Sequence, residues 1–219
     1  MQIVNLGEKN SIFNQFISEI RDEKIQRDPL RFRRNIERIG EIFAYEISKC
    51  LRYKEREVKT PLGVSKMKLP ASFPVLATIL RAGLPLHQGM LNYFDSSGNA
   101  FISAHRRYVN AKEFVIEFEY LSSPSLDEKV IILSDPMLAS GASFEIGYKA
   151  LLKKGKPAHV HLVAIIASTA GVEYLKKQLP DETCTLWLGA IDPKLTDKAY
   201  IVPGLGDAGD LAYGEKIDD

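Results

Sequence analysis

Short, almost unbroken apolar runs alternate with stretches of helical periodicity through the middle of this chain, and that alternation restricts the fold most. Residues 74–80, 130–133, 160–166 and 185–188 each read as a strand that is apolar on both faces, with 101–104 and 200–202 as shorter ones. Helical spacing fits residues 85–94, 143–154 and 170–178 in between. Strands buried on both faces belong to parallel sheets covered by helices above and below. Ahead of this pattern, Ile12, Phe13, Phe16 and Ile20 are spaced for one helical face. From Pro29 onward, Phe32, Ile36, Ile39, Phe43 and Ile47 recur every three or four residues and predict a long amphipathic helix ending near Cys50 or Leu51. Residues 60–63 read as a turn, and 105–127 as an irregular or hairpin excursion. The expected fold is α/β: a mostly parallel sheet flanked by helices, with a small hood or flap and an N-terminal helical extension, as one domain over 1–219.

Composition narrows the function classes. A 45% hydrophobic share of 219 residues is enough for a sizeable core. The formal net charge of +1 argues against a broad nucleic-acid or membrane surface, which needs a one-sided basic field. No basic-then-apolar leader opens the chain, and no apolar run approaches the roughly 18 residues of a membrane span, so the cytoplasm is the expected compartment. Cys50 and Cys184 form no metal or redox spacing and are expected to be small buried thiols.

In parallel sheets ligands bind beyond the carboxyl ends of strands, so the segments that follow strands carry the chemistry. The sharpest of them runs from Asp135 through Pro136, Met137, Leu138, Ala139, Ser140, Gly141 and Ala142 to Ser143. A strand delivers a carboxylate to its tip, a turn of small residues follows, and a helix begins near Ser143. Small side chains let backbone N–H groups approach an anion, and a helix start adds unpaired N–H groups and a favourable dipole. The hydroxyls of Ser140 and Ser143 can donate further bonds to a phosphate. Asp135 repels a phosphate and suits a sugar hydroxyl or a magnesium ion. The bland alternative gives Asp135 and Ser143 only turn and capping work.

This segment resembles the PRPP-binding signature of type I phosphoribosyltransferases, in the form found in uracil phosphoribosyltransferases. Three further blocks agree in order: residues 60–63, the run Ile79-Leu80-Arg81-Ala82-Gly83-Leu84, and the stretch from Tyr200 to Asp210. The resemblance implies that the chain transfers the phosphoribosyl group of PRPP to uracil, giving UMP and pyrophosphate. It implies PRPP contacts from Arg81, Arg106 (with Arg107 as fallback), the whole turn 135–143 and Asp207. Asp135 and Arg81 are implied as the catalytic pair, and Tyr200, Ile201, Gly206, Asp207 and Ala208 as the uracil contacts. Magnesium is implied as a cofactor carried by PRPP, with no protein ligand assigned to it. A homodimer or larger homo-oligomer, and a GTP effector, follow from the same resemblance. A regulatory paralogue that binds without turnover, or a transferase for another base, are the alternatives.

Chemistry supports these roles independently. A guanidinium at Arg81 grips pyrophosphate oxygens in pairs, which a lysine cannot do. Uracil presents two carbonyls and an N3–H, which the main chain of a glycine-rich loop can read. The pattern Gly204-x-Gly206-x-x-Gly209 is not a dinucleotide fingerprint, since no strand and distant acid follow it. His159 and His161 alternate on one strand face without a third ligand at metal spacing, and His87 and His105 have no assigned role. Several positions depart from the family pattern. Ser140 stands for threonine, Ala142 for glycine and His105 for tyrosine; Leu211-Ala212-Tyr213-Gly214 replaces an Arg-x-Phe-Gly ending; and a lysine near position 122 is missing.

Overall fold

The computed structural model describes residues 1–108 and 114–216, and the side chains outside 104–119. Its first strand, β1 (Gln2–Asn5), precedes helices α1 (Ile12–Arg21) and α2 (Pro29–Ser48). The chain then forms a hairpin of β2 (Tyr53–Thr60) and β3 (Gly63–Pro70), followed by β4 (Val75–Leu80), α3 (Leu84–Leu91), β5 (Asn99–Tyr108) and β6 (Phe114–Ser122). Next come β7 (Val130–Ser134), β8 (Met137–Leu138), α4 (Ala142–Leu152), β9 (His159–Ser168), α5 (Thr169–Gln178) and β10 (Cys184–Asp192). The short strands β11 (Lys194–Leu195) and β12 (Ile201–Val202) and helix α6 (Ala208–Tyr213) complete the chain.

The main sheet runs in the order β1-β10-β9-β7-β4-β5-β6, with β8 also paired to β9. All its pairings are parallel except β5 with β6. Two-faced burial is visible residue by residue. On β7, Ile132 joins the core under α1, α2 and α3, while Ile131 and Leu133 join the core under α4 and α5. On β4, Leu76 faces the first core, and Val75, Ala77 and Ile79 face the second. The strands therefore show no apolar–polar alternation, because neither face meets water.

Helix α2 matches its sequence pattern closely. Asp28 caps it by accepting the N–H groups of Leu30 and Arg31 at 2.9 and 3.1 Å, and Pro29 occupies the first turn, where no N–H is needed. The predicted stripe of Phe32, Ile36, Ile39, Phe43 and Ile47 is wholly buried. Burial of each such side chain stabilises the fold by roughly 1.5–3 kcal/mol. On α1 the buried face is Phe13, Ile17 and Ile20, whereas Ile12, expected on it, is exposed. The structure corrects or extends the sequence expectations at four points. Cys50 is exposed just past the end of α2, and only Cys184 is buried, where desolvation pushes its thiol pKa up. The β2–β3 hairpin was legible only as its turn, because its strands are charged and exposed on both faces. Edge strand β1 was not anticipated at all. The excursion over 105–127 contains the end of β5 and all of β6, which pair antiparallel with a register shift between Ser103 and Ala104.

The unassigned histidines have structural partners. His161 Nδ1 accepts the Trp187 indole N–H at 3.1 Å, and His159 Nε2 lies 3.0 Å from Thr185 Oγ1. Burial, helped by neighbouring His159, pulls the His161 pKa down to about 3, so its ring is neutral and free to accept. His87, on the buried face of α3, bonds Asn99 Oδ1 at 2.9 Å, and His105 falls outside the described side chains.

Candidate active site

At the carboxyl end of β7 the backbone is locked to both neighbouring strands before it turns. Ser134 Oγ donates to the Ala77 carbonyl at 3.1 Å, and Thr78 Oγ1 donates to the Ser134 carbonyl at 3.2 Å. The Asp135 N–H then bonds the Val163 carbonyl, and the Asp135 carboxylate accepts the Met137 N–H at 3.1 Å. This short side-chain turn orients the acid at the strand tip. The Pro136 carbonyl accepts N–H bonds from Ile165 and Ile166, so Pro136 faces β9.

From there the loop rests on α5. Ser168 Oγ donates to the Ala139 carbonyl at 2.6 Å and accepts the Gly171 N–H at 2.9 Å. Gly141 ends the loop with φ of +91°, a left-handed conformation that costs a side-chain-bearing residue about 1–2 kcal/mol. A Cβ there would also sit 2.7 Å from the Tyr174 ring. The Tyr174 phenol bonds Glu145, tying α5 to α4, and Glu145 is held below the usual carboxylate range by Lys149 first and by Tyr174 second. Helix α4 starts at Ala142 without a side-chain cap. The N–H groups of Ser143 and Phe144, in its first turn, can therefore take an anion.

The opposite wall comes from the C-terminal segment. Strand β12 pairs with β11 and leads into a turn with Gly204 and Gly206 at positive φ. Asp207 then caps α6, its Oδ1 accepting the Gly209 and Asp210 N–H groups at 2.9 and 3.0 Å. Arg81, just past β4, closes one side. Its Nη2 donates to Asp210 Oδ1 at 2.9 Å and to the Gly214 carbonyl at 3.3 Å.

These three segments enclose one cleft of about 470 Å³. Asp135, Met137, Leu138, Ala139, Ser140, Gly141 and Ser143 line it from one side. Tyr200, Ile201, Gly206, Asp207 and Ala208 line it from the other, with Arg81 between them. Two members of the expected turn do not line it: Pro136, for the reason given above, and Ala142, whose N–H is turned to Ser140 Oγ at 3.5 Å. Arg106 lies on β5, but its side chain, like that of Arg107, is outside the described residues. The cleft also includes Ser103, Phe144, Ala199, Asp210 and Lys216. Sequence reasoning passed over these, although Asp210 stands inside the C-terminal block and Ser103 ends an expected strand. Among the described residues, no group of three or more His, Cys, Asp or Glu side chains is arranged to hold a metal. No described helix is long and apolar enough to cross a membrane.

The family model for uracil phosphoribosyltransferase matches residues 8–215. A protein of Porphyromonas gingivalis named uracil phosphoribosyltransferase is 56% identical over 217 residues, covering 99% of this chain and 100% of its own length. One of the same name from Methanothermobacter thermautotrophicus is 36% identical over 212 residues, covering 95% of this chain and 94% of its own. The solved structure of the AQ2163 protein from Aquifex aeolicus superposes with a TM-score of 0.86 at 27% identity, covering 99% of this chain and all of that one.

Proposed function

The chain belongs to the uracil phosphoribosyltransferase family, and we propose that the residues of this one cleft carry out the family's reaction, in which uracil and PRPP give UMP and pyrophosphate. One observation carries the assignment of roles: the acid-tipped turn 135–143 and the C-terminal loop 200–208 face each other across a single cavity. A phosphate wall and a base wall on opposite sides of one cleft can hold a sugar between them.

The reaction forms a bond from a ring nitrogen of uracil, which gives up its proton, to the anomeric carbon and breaks the bond from that carbon to pyrophosphate, which leaves with the bonding electrons; the proton passes to pyrophosphate or water. By analogy with glycoside chemistry, positive charge develops on the ribose. No covalent nucleophile is required, so the protein's work is alignment and charge placement. In this reading the turn from Met137 to Ser143 cradles the 5′-phosphate with backbone N–H groups and the hydroxyls of Ser140 and Ser143. Asp135 holds the ribose hydroxyls, Arg81 grips the departing pyrophosphate, and Arg106 approaches from β5. To reach pyrophosphate, Arg81 exchanges its bond to Asp210 for bonds to the substrate. Main-chain groups around Ile201, Gly206 and Ala208 read the edge of uracil. Asp207 holds the start of α6, and Tyr200 borders the base. Cytosine presents the wrong donor and acceptor pattern to such a site, a mismatch that costs on the order of 10⁴ in selectivity.

Magnesium fits the donor set as an ion carried by PRPP. The cleft contains the carboxylates of Asp135, Asp207 and Asp210 against the cations Arg81 and Lys216, which alone do not balance a polyphosphate. A hard divalent ion with oxygen ligands supplies the missing positive charge, with Asp135 the residue placed to meet it. Assembly into a homodimer or larger homo-oligomer belongs to the same reading. It is supported by the β2–β3 hairpin, which exposes Leu62, Val64 and Met67. A GTP effector rests on the family resemblance.

The test is incubation with PRPP, magnesium and each nucleobase in turn, scoring nucleotide and pyrophosphate. UMP formed with uracil alone is the expected result. Binding without turnover, or preference for another base, would refute the reading.

A further inference from the structure

We propose that Arg21 and Asp192, neither of which lines the cleft, form a clamp that sets the C-terminal base loop, making them positioning residues for uracil and not for PRPP. The inference rests on the reading that residues 200–208 receive the base. Arg21 is the last residue of α1, and Asp192 the last of β10. They meet in a two-point pair, Nη1 to Oδ2 at 2.8 Å and Nη2 to Oδ1 at 2.9 Å. Asp192 is only 6% exposed, and the Arg21 side chain 22%.

The same two side chains take both backbone groups of Gly204. Its N–H donates to Asp192 Oδ2 at 2.9 Å, and its carbonyl accepts from Arg21 Nη1 at 3.0 Å. Gly204 is the pivot between Ile201 and Gly206, which both face the cleft. Its φ is +56°, and a Cβ there would lie 2.1 Å from the Ile201 carbonyl oxygen. The turn is therefore tightly folded, and the ion pair fixes it at its midpoint. With its amide nitrogen turned toward the loop, Gln26 adds a bond to the Leu205 carbonyl at 2.9 Å.

A partly buried ion pair returns little net stability once its desolvation is counted, so its value lies in geometry. Main-chain recognition of a flat ring is sensitive to that geometry, since a shift of about 1 Å in a supporting shell is enough to loosen a site. The phosphate wall rests on β9 and α5 through Pro136, Ser168 and Gly171, and Asp192 touches that support through its backbone carbonyl, which accepts from Thr169 Oγ1 at 3.3 Å, not through the carboxylate that holds Gly204. Loosening Gly204 should therefore affect one substrate and spare the other.

The experiment is steady-state kinetics on the full-length protein, varying uracil and PRPP separately, for Arg21→Ala, Arg21→Lys, Asp192→Asn and the loop variant Gly206→Ala. Arg21→Ala is expected to raise the uracil KM at least ten-fold while the PRPP KM stays within two-fold. Millimolar guanidinium added to Arg21→Ala should recover much of the loss. Arg21→Lys, which cannot keep both contacts to Asp192, should fall in between, and it serves as the readout if Arg21→Ala does not fold. An unchanged uracil KM in the folded arginine variants, or an equal rise in both KM values, overturns the clamp. If Gly206→Ala raises the uracil KM and the arginine variants do not, the clamp alone fails. If Gly206→Ala also leaves the uracil KM unchanged, the base-loop reading fails with it.

Discussion

Replacing Ser168 by alanine removes a hydroxyl that joins the phosphate turn to the helix beneath it. Ser168 is fully buried; its Oγ donates to the Ala139 carbonyl and accepts the Gly171 N–H as the cap of α5. Loss of a serine cap costs about 0.5–2 kcal/mol. Leaving the partly buried Ala139 carbonyl without its donor adds about 1–3 kcal/mol, with the lower end applying where water reaches the oxygen. The expected total is about 1.5–5 kcal/mol. For a chain of this size each kcal/mol lowers the Tm by about 2–4 °C, which gives a drop of about 3–20 °C. The same change frees the turn that carries Ser140 and Gly141, so the PRPP KM should rise while the uracil KM moves little. Differential scanning calorimetry and two-substrate kinetics measure both effects. A Tm within 2 °C of the parent, or a defect confined to uracil, would refute the argument, because the hydroxyl would then not support the phosphate wall.

Two further outcomes follow from the same geometry. Asp135→Ala should leave the fold intact, since the bond it removes from the Met137 N–H at 3.1 Å is worth about 1 kcal/mol at the rim of an open cleft. UMP formation should fall about 10²–10⁴-fold, the value of two charged hydrogen bonds to ribose at about 1.5–3 kcal/mol each; an unchanged rate sinks the role of this acid. The His161 pKa is depressed from 6.5 to about 3, so the unfolded chain binds the extra proton and this contribution, complete above pH 6.5, is lost as pH falls toward 3. Between pH 7 and pH 5 that removes about 2 kcal/mol of stability. His161→Gln, which keeps an acceptor for Trp187, should flatten denaturant-measured stability by that amount over this range. Glu19, whose pKa is lowered to about 2, mainly by its hydrogen bond to Arg31, acts only below pH 4.5, whereas His87 and His159, both lowered by desolvation, add slope in the same window, so the readout is the difference between parent and variant.

Local physics wrote much of this molecule into its sequence. The α2 stripe from Phe32 to Ile47, capped by Asp28, needs only helical periodicity and one side-chain bond. The apolar runs of β4, β7 and β9 announce burial on both faces. Asp135 at a strand tip, followed by small residues and a helix start, declares an anion-binding turn before any partner strand is known. Tertiary structure decided the rest, because it depends on residues far apart in the chain. Strand β1 pairs with β10 across some 180 positions, and its four residues carry no periodicity that predicts an edge. Pro136 and Ala142 stand inside the signature, yet packing turns one to β9 and the other to Ser140. Arg21 is an ordinary basic residue at a helix end until folding brings Asp192 and Gly204 to it. Periodicity and capping act over one or two turns of chain, whereas a cleft is made by surfaces that only packing of the whole sheet brings together.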